Sequence, residues 1–124
     1  MSERRATNAG EARARMLETL QALAEPNRMR IVELLREGPL TVGEIAQRLG
    51  LRQPQTSKHL KVLTDSGLLT VRAEGNRRIY GLSAEPFLAL EGWLDTFRRT
   101  MEQRYDRLDE YLRRLQGEND DREV

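Results

Sequence analysis

Apolar residues first recur at helical spacing near the start of the chain. Over Glu11–Ala24, Leu17, Leu20, Leu23 and Ala24 fall three or four positions apart, which predicts a helix. The polar residues 1–10 before it read as a disordered arm. Pro26 suits the first turn of a second helix, where its missing N–H would be unpaired anyway. That helix carries Met29, Ile31, Val32, Leu34 and Leu35 and stops at Gly38-Pro39. Thr41-Val42-Gly43-Glu44 has the form of a capping box, in which a hydroxyl and a carboxylate each satisfy the other residue's backbone N–H. Ile45, Ala46 and Leu49 make one face of the short helix that follows, and Gly50 ends it.

Leu51, Arg52 and Gln53 link this helix to the next, which the pattern places over about 54–66, with Pro54 at its start and Gly67 as its C-terminal cap. Leu60 and Leu63 point inward, with Thr56 and Thr64 beside them, while Gln55, Lys58 and Lys61 lie outward. The period then changes. Leu68–Glu74 and Arg77–Leu82 read as two strands joined by Gly75-Asn76, a pair suited to a tight hairpin. From Ala84 a helical period returns and holds to about Gln116, and residues 117–124 form an acidic tail. In that last helix Phe87, Leu94, Met101, Leu108 and Leu115 recur every seven residues, with Leu90, Phe97, Arg104 and Tyr111 three positions after the first four. This is an a/d-like seam, interrupted at Arg104, where Tyr105 compensates.

The elements therefore predict one domain over 11–116, mainly α with a small β-hairpin (α+β): two short helices in tandem, then a hairpin of 68–82, framed by long terminal helices. With 124 residues and an apolar fraction of 38%, a monomer has a thin core. Leu17, Leu20, Phe87, Leu90, Leu94, Phe97, Met101 and Leu108 are accordingly expected to meet a second copy across a two-fold.

Net charge is +1, but it is unevenly spread. Arg48–Arg78 holds seven basic residues against two acidic, whereas Ile79–Val124 holds seven against eleven. A basic middle between neutral and acidic ends marks a surface for a polyanion. Two short helices joined by a tight link and followed by a hairpin with a basic tip form a winged helix-turn-helix, and its expected partner is double-stranded DNA. Gln53, Gln55, Ser57 and Lys58 are the candidates for base edges in the major groove. His59, Lys61, Arg72, Arg77 and Arg78 are the candidates for phosphates. His59, the single histidine, is equally compatible with a buried hydrogen-bonding role beneath the helix. A winged helix serving only as a protein-interaction module is the alternative, which the outward Gln55, Lys58 and Lys61 disfavour.

The absence of cysteine excludes disulfides and thiolate metal sites. No apolar run is long enough to span a membrane, and residues 1–10 lack an apolar signal core, so a cytoplasmic protein without membrane association is expected. No nucleophile–base pair, phosphate loop or metal quartet is visible, so no enzyme activity, metal or cofactor is expected.

The segments Ala24–Val32, Leu40–Leu49, Gln53–Leu63 and Ser66–Leu69 together resemble the ArsR family of repressors. The most specific part is Ser57-Lys58-His59-Leu60-Lys61-Val62-Leu63 followed by Gly67-Leu68-Leu69, and the resemblance spans Leu17 to Leu115. It implies a dimeric repressor that occupies a short inverted repeat and leaves it when an effector arrives. Metal-sensing members of that family carry two cysteines at positions that correspond here to Thr41 and Gly43. Other members use His and carboxylates on the last helix, which has no His here. Asp106, Asp109 and Glu110 read as a solvated face beside Arg107, Arg113 and Arg114. Any effector is then an unidentified small organic molecule or protein.

Overall fold

In the computed structural model the backbone is described for residues 2–123 and the side chains for residues 8–118. The elements run α1 (Ser2–Leu23), α2 (Pro26–Leu34), a single 3-10 turn (Leu35–Glu37), β1 (Leu40–Thr41), α3 (Val42–Leu49), α4 (Gln53–Asp65), β2 (Leu69–Glu74), β3 (Arg77–Leu82) and α5 (Ala84–Glu123). They divide into two compact units, Met1–Ala89 and Leu90–Val124.

In the first unit the apolar positions of α2, α3 and α4 converge. Ile31, Ile45, Leu60, Leu63 and Leu68 are fully enclosed, and Ala22, Val32, Leu35 and Leu69 complete the cluster. Each enclosed Leu or Ile contributes about 1.5–3 kcal/mol relative to exposure. Thr56 is also fully buried. Its hydroxyl donates to the Arg52 carbonyl at 2.9 Å, so burial leaves no polar atom unpaired.

The link between α3 and α4 is a tight one. Gly50 sits in the left-handed region at φ +67°, a conformation that costs a side-chain-bearing residue more. The Leu51 N–H then donates back to the Ala46 carbonyl at 2.9 Å. Three antiparallel strands form a sheet in the order β1-β3-β2. Leu40 lies opposite Tyr80, and the hairpin pairs Leu69 with Leu82 and Glu74 with Arg77. Gly75, at φ +63°, supplies the left-handed first position of its two-residue turn.

Several boundaries differ from expectation. Helix already runs from Ser2, where a disordered arm is expected over 1–10, and α5 continues to Glu123 through the stretch expected to be a tail. Gln53 is the first residue of α4 rather than part of the link. Leu40–Thr41 adds a strand too short to announce itself. Phe87, expected at the interface between copies, instead packs on its own chain's core from the start of α5.

The capping box at the start of α3 forms as expected. Glu44 N–H donates to the Thr41 hydroxyl at 3.3 Å, and Thr41 N–H donates to the Glu44 carboxylate at 3.2 Å. The Thr41 N–H, then its hydroxyl, then the charges of Arg48 and Arg77, hold the Glu44 carboxyl below its ordinary value. A carboxyl depressed on folding stabilises above its unfolded value and loses that contribution as pH falls through the folded one. Glu44→Gln keeps an acceptor but removes the charge. We expect it to be less stable than wild type at neutral pH, with the gap closing on acidification below the ordinary carboxylate range. Urea unfolding at a series of pH values checks this; a gap independent of pH would contradict it.

Candidate nucleic-acid interface

Helix α4 is 13 residues long and shows two sides. Thr56, Leu60 and Leu63 are turned to the core. At roughly 100° per residue the opposite side carries Pro54, Lys58, Lys61 and Asp65, with Ser57 on the flank, all exposed. Gln55 is exposed on one flank.

On the other flank lies a groove of about 810 Å³. Gln53, Ser57, Lys61, Thr64 and Asp65 form its α4 wall. Val71, Asn76, Arg77, Arg78 and Tyr80 of the hairpin face them, and Thr41, Val42 and Gly43 close one end. The structure thus brings Gln53, Ser57, Lys61, Arg77 and Arg78 together around one concavity. Gln55 and Lys58 stand outside it. Thr64, Asn76, Tyr80 and the Thr41–Gly43 segment were not anticipated at this site. Asn76 alone had a signal, its place in the hairpin turn.

The three arginines of the hairpin do not act as a group. Alternate residues of a strand point to opposite faces of the sheet. In the observed register Arg72 pairs with Ile79, and Arg78 with Ala73. Arg78 therefore shares the groove face with Val71 and Tyr80, while Arg72 shares the far face with Thr70 and Ile79. Arg77, paired with Glu74, has the parity of Arg72, but at the turn it borders both the groove and a hollow lined by Thr41, Glu44 and Ile79. Arg72 also holds Glu74 at 3.5 Å. Among the described residues, no ion pair forms at Lys58, Lys61, Arg77 or Arg78, although Arg77 is near enough to Glu44 to lower its carboxyl. Asp65 is the acidic residue on the groove wall.

His59 departs from its expected place among the phosphate contacts. Its side chain is only 16% exposed, and its Nδ1 lies 3.7 Å from a Glu25 carboxylate oxygen at the start of α2. Among the described residues no three His, Cys, Asp or Glu side chains converge as metal ligands would. No helix among them is long and apolar enough to cross a membrane.

Residues 23–72 match the model of a helix-turn-helix domain family. The chain is 47% identical over 77 residues to the HTH-type transcriptional regulator Rv2034 of Mycobacterium tuberculosis, covering 62% of this chain and 72% of that protein. It is 36% identical over 66 residues to the arsenical resistance operon repressor of Staphylococcus xylosus, covering 53% and 64%. A crystal structure of an ArsR family transcriptional regulator matches with 34% identity and a TM-score of 0.64, covering 72% of this chain and 92% of that one. The solution structure of a homodimeric winged helix-turn-helix DNA-binding domain from Mycobacterium bovis matches with 28% identity and a TM-score of 0.58, covering 77% and 88%.

The division between the hairpin's two faces yields a direct test. We expect Arg78→Ala to weaken binding to any duplex and to flatten the dependence of log K on log salt by roughly 0.9 for each phosphate left without its arginine. Arg72→Ala should leave that slope near wild type. Binding of a scrambled duplex across a salt series distinguishes them; equal slopes for the two variants would contradict the assignment.

Proposed function

The chain belongs to the ArsR family of winged helix-turn-helix transcriptional regulators, and we propose that it represses transcription as a homodimer seated on an inverted-repeat operator. The observation that carries this reading is the groove. It sets short polar side chains at the start of α4 beside two unpaired arginines of the hairpin. A duplex offers base edges in a major groove bounded by phosphates, and these two kinds of group suit those two targets.

In this reading Gln53, Gln55, Ser57 and Lys58, in the first two turns of α4, meet base edges. Gln suits adenine and Lys suits guanine. Lys61, Arg77 and Arg78 meet phosphates. Arg72 and His59 drop out of the contact set, the first because it lies on the far face of the hairpin and, unlike Arg77 at the turn, does not border the groove, and the second because it is directed at Glu25. Two copies related by a two-fold would place their α4 helices in successive major grooves, about 10 base pairs apart.

The second copy has a surface to meet. On α1, Leu17 and Leu20 are exposed, and on α5, Leu94, Phe97, Met101 and Leu108 are about half exposed. Large apolar side chains left open in this number suit association with a like surface. The protein is read as working in the cytoplasm without catalysis. A chain without cysteine cannot sense arsenic or soft metals through thiolates, so any effector that releases it from DNA is of another class.

The test begins with selection of duplexes from a random-sequence pool by the wild-type protein. The expected product is an inverted repeat. On it, Lys58→Ala should cost about 1–3 kcal/mol at one base position per half-site and relax the preference there. Recovery of no preferred sequence would favour the protein-interaction alternative. For the dimer, Leu94→Glu together with Met101→Glu would set carboxylates against each other across the two-fold. Sedimentation should then show a monomer; an unchanged dimer would contradict the assigned interface.

A further inference from the structure

We propose that His59 is a positioning residue: paired with Glu25, it seats the recognition helix on the start of α2 and does not itself touch DNA. The inference rests on the DNA-binding reading above and assigns a residue that the sequence leaves between two roles.

At roughly 100° per residue His59 lies on the flank of α4 beside the buried face of Thr56, Leu60 and Leu63, and it is partly buried where Ser57 and Lys58 are exposed. Its Nδ1 is 3.7 Å from a Glu25 carboxylate oxygen, and the two side chains are 16% and 30% exposed. The same carboxylate oxygen accepts the Arg28 N–H at 2.8 Å, which makes Glu25 the N-cap of α2. Arg28 in turn donates its Nε–H to the Ala22 carbonyl at 2.7 Å, near the end of α1. A chain of polar contacts thus runs from the end of α1 through the start of α2 to α4, and His59 is its link to α4.

Of the charged groups near the imidazole, Glu25 and Arg28 belong to the start of α2 and Lys58 on α4 is exposed. Glu18 of α1 lines, with Arg28 and Val62, a crevice that His59 does not border. The Arg28 N–H, with further help from the Asn27 N–H and the charges of His59 and Arg28, holds the Glu25 carboxyl below its ordinary range. Glu25 is therefore anionic at neutral pH. A protonated imidazole beside it is attracted to it, and a neutral one much less. Ser57 and Lys58 sit within the same turn as His59, so a shift of α4 away from α2 displaces them from the base edges they meet.

The experiment uses the full chain and the duplex that wild type selects from a random pool. Affinity is measured across a salt series for wild type, His59→Gln, Glu25→Gln and the double variant. Thermal melting reports folding alongside. Glu25→Gln retains an amide oxygen to cap α2, so it tests the pair even if His59→Gln fails to fold. We expect each single variant to lose about three- to thirtyfold in affinity, the double variant to lose no more than the worse single, and the salt slope to stay at the wild-type value.

A salt slope lowered by roughly 0.9 per subunit in His59→Gln would show a phosphate contact and overturn the proposal. Losses that multiply in the double variant, or affinity unchanged by either substitution, would overturn it too. Failure of wild type to select any duplex would instead overturn the DNA-binding reading, and this inference with it.

Discussion

A helix that must meet another molecule can bury only one of its sides, and α4 has 13 residues in which to do both. Thr56, Leu60 and Leu63 are enclosed completely, which leaves the first two turns free to present polar side chains. The hairpin depends on the same helix. Leu68 N–H donates to the Leu63 carbonyl at 3.0 Å, and Ser83 N–H to the Leu68 carbonyl at 2.9 Å. Both ends of the hairpin are thereby tied to the C-terminal end of α4. The groove between helix and hairpin is a consequence of those ties and of the buried face beneath them, not of any contact across the groove itself.

Around this arrangement the polar residues near Pro26 have a structural use. Glu25 caps the start of α2, and Arg28 satisfies the Ala22 and Gln21 carbonyls at the end of α1. Arg30 reaches the Leu49 carbonyl at 3.0 Å at the end of α3. Helix ends leave carbonyls and N–H groups without intrahelical partners, and short helices have proportionally more of them. Three charged side chains within six residues thus serve the ends of three helices. A charge-rich segment of this kind, read from sequence alone, looks like surface.

The order of elements was legible because the apolar period changes cleanly from helical to alternating and back. The helix ends were not. Residues 2–10 and 117–123 have no apolar face to reveal a period, yet both are helical. Nearby, α1 and α5 carry exposed i,i+4 pairs such as Glu11–Arg15 and Glu110–Arg114, which favour helix without leaving a pattern of burial. At the site, Gln53, Ser57, Lys61, Arg77 and Arg78 were readable as polar or basic residues on the right elements. Arg72 lies off the groove, and its parity was available: a two-residue turn at Gly75-Asn76 fixes the register, and the register puts Arg72 and Arg78 on opposite faces. His59 was different in kind. Its orientation follows from a carboxylate 34 positions earlier in the chain, and no local spacing announces such a partner.

The apolar stripe of the last helix shows why an exact repeat matters less than its width. Leu94, Met101, Leu108 and Leu115 hold the seven-residue repeat, but their companions shift: Phe97 lies three positions on, whereas after Arg104 the companions are Tyr105 and Leu112, four positions on, with Tyr111 beside them. At roughly 100° per residue these side chains and Trp93 cover an arc of about 120°, interrupted only by Arg104. A strict two-stranded coiled coil needs a narrower a/d seam, whereas a/d/e faces belong to helices packed on more than one neighbour. The large side chains of this arc from Trp93 to Leu115 are each more than a third exposed, and Trp93 and Phe97 pack edge to face with ring centroids 4.9 Å apart. An arc this wide would be left half in water by a single partnering helix. The proposed dimer is therefore better served by a bundle of several helices than by a two-stranded coil, with Arg104 tolerated because its long stem can carry the guanidinium to the bundle's edge.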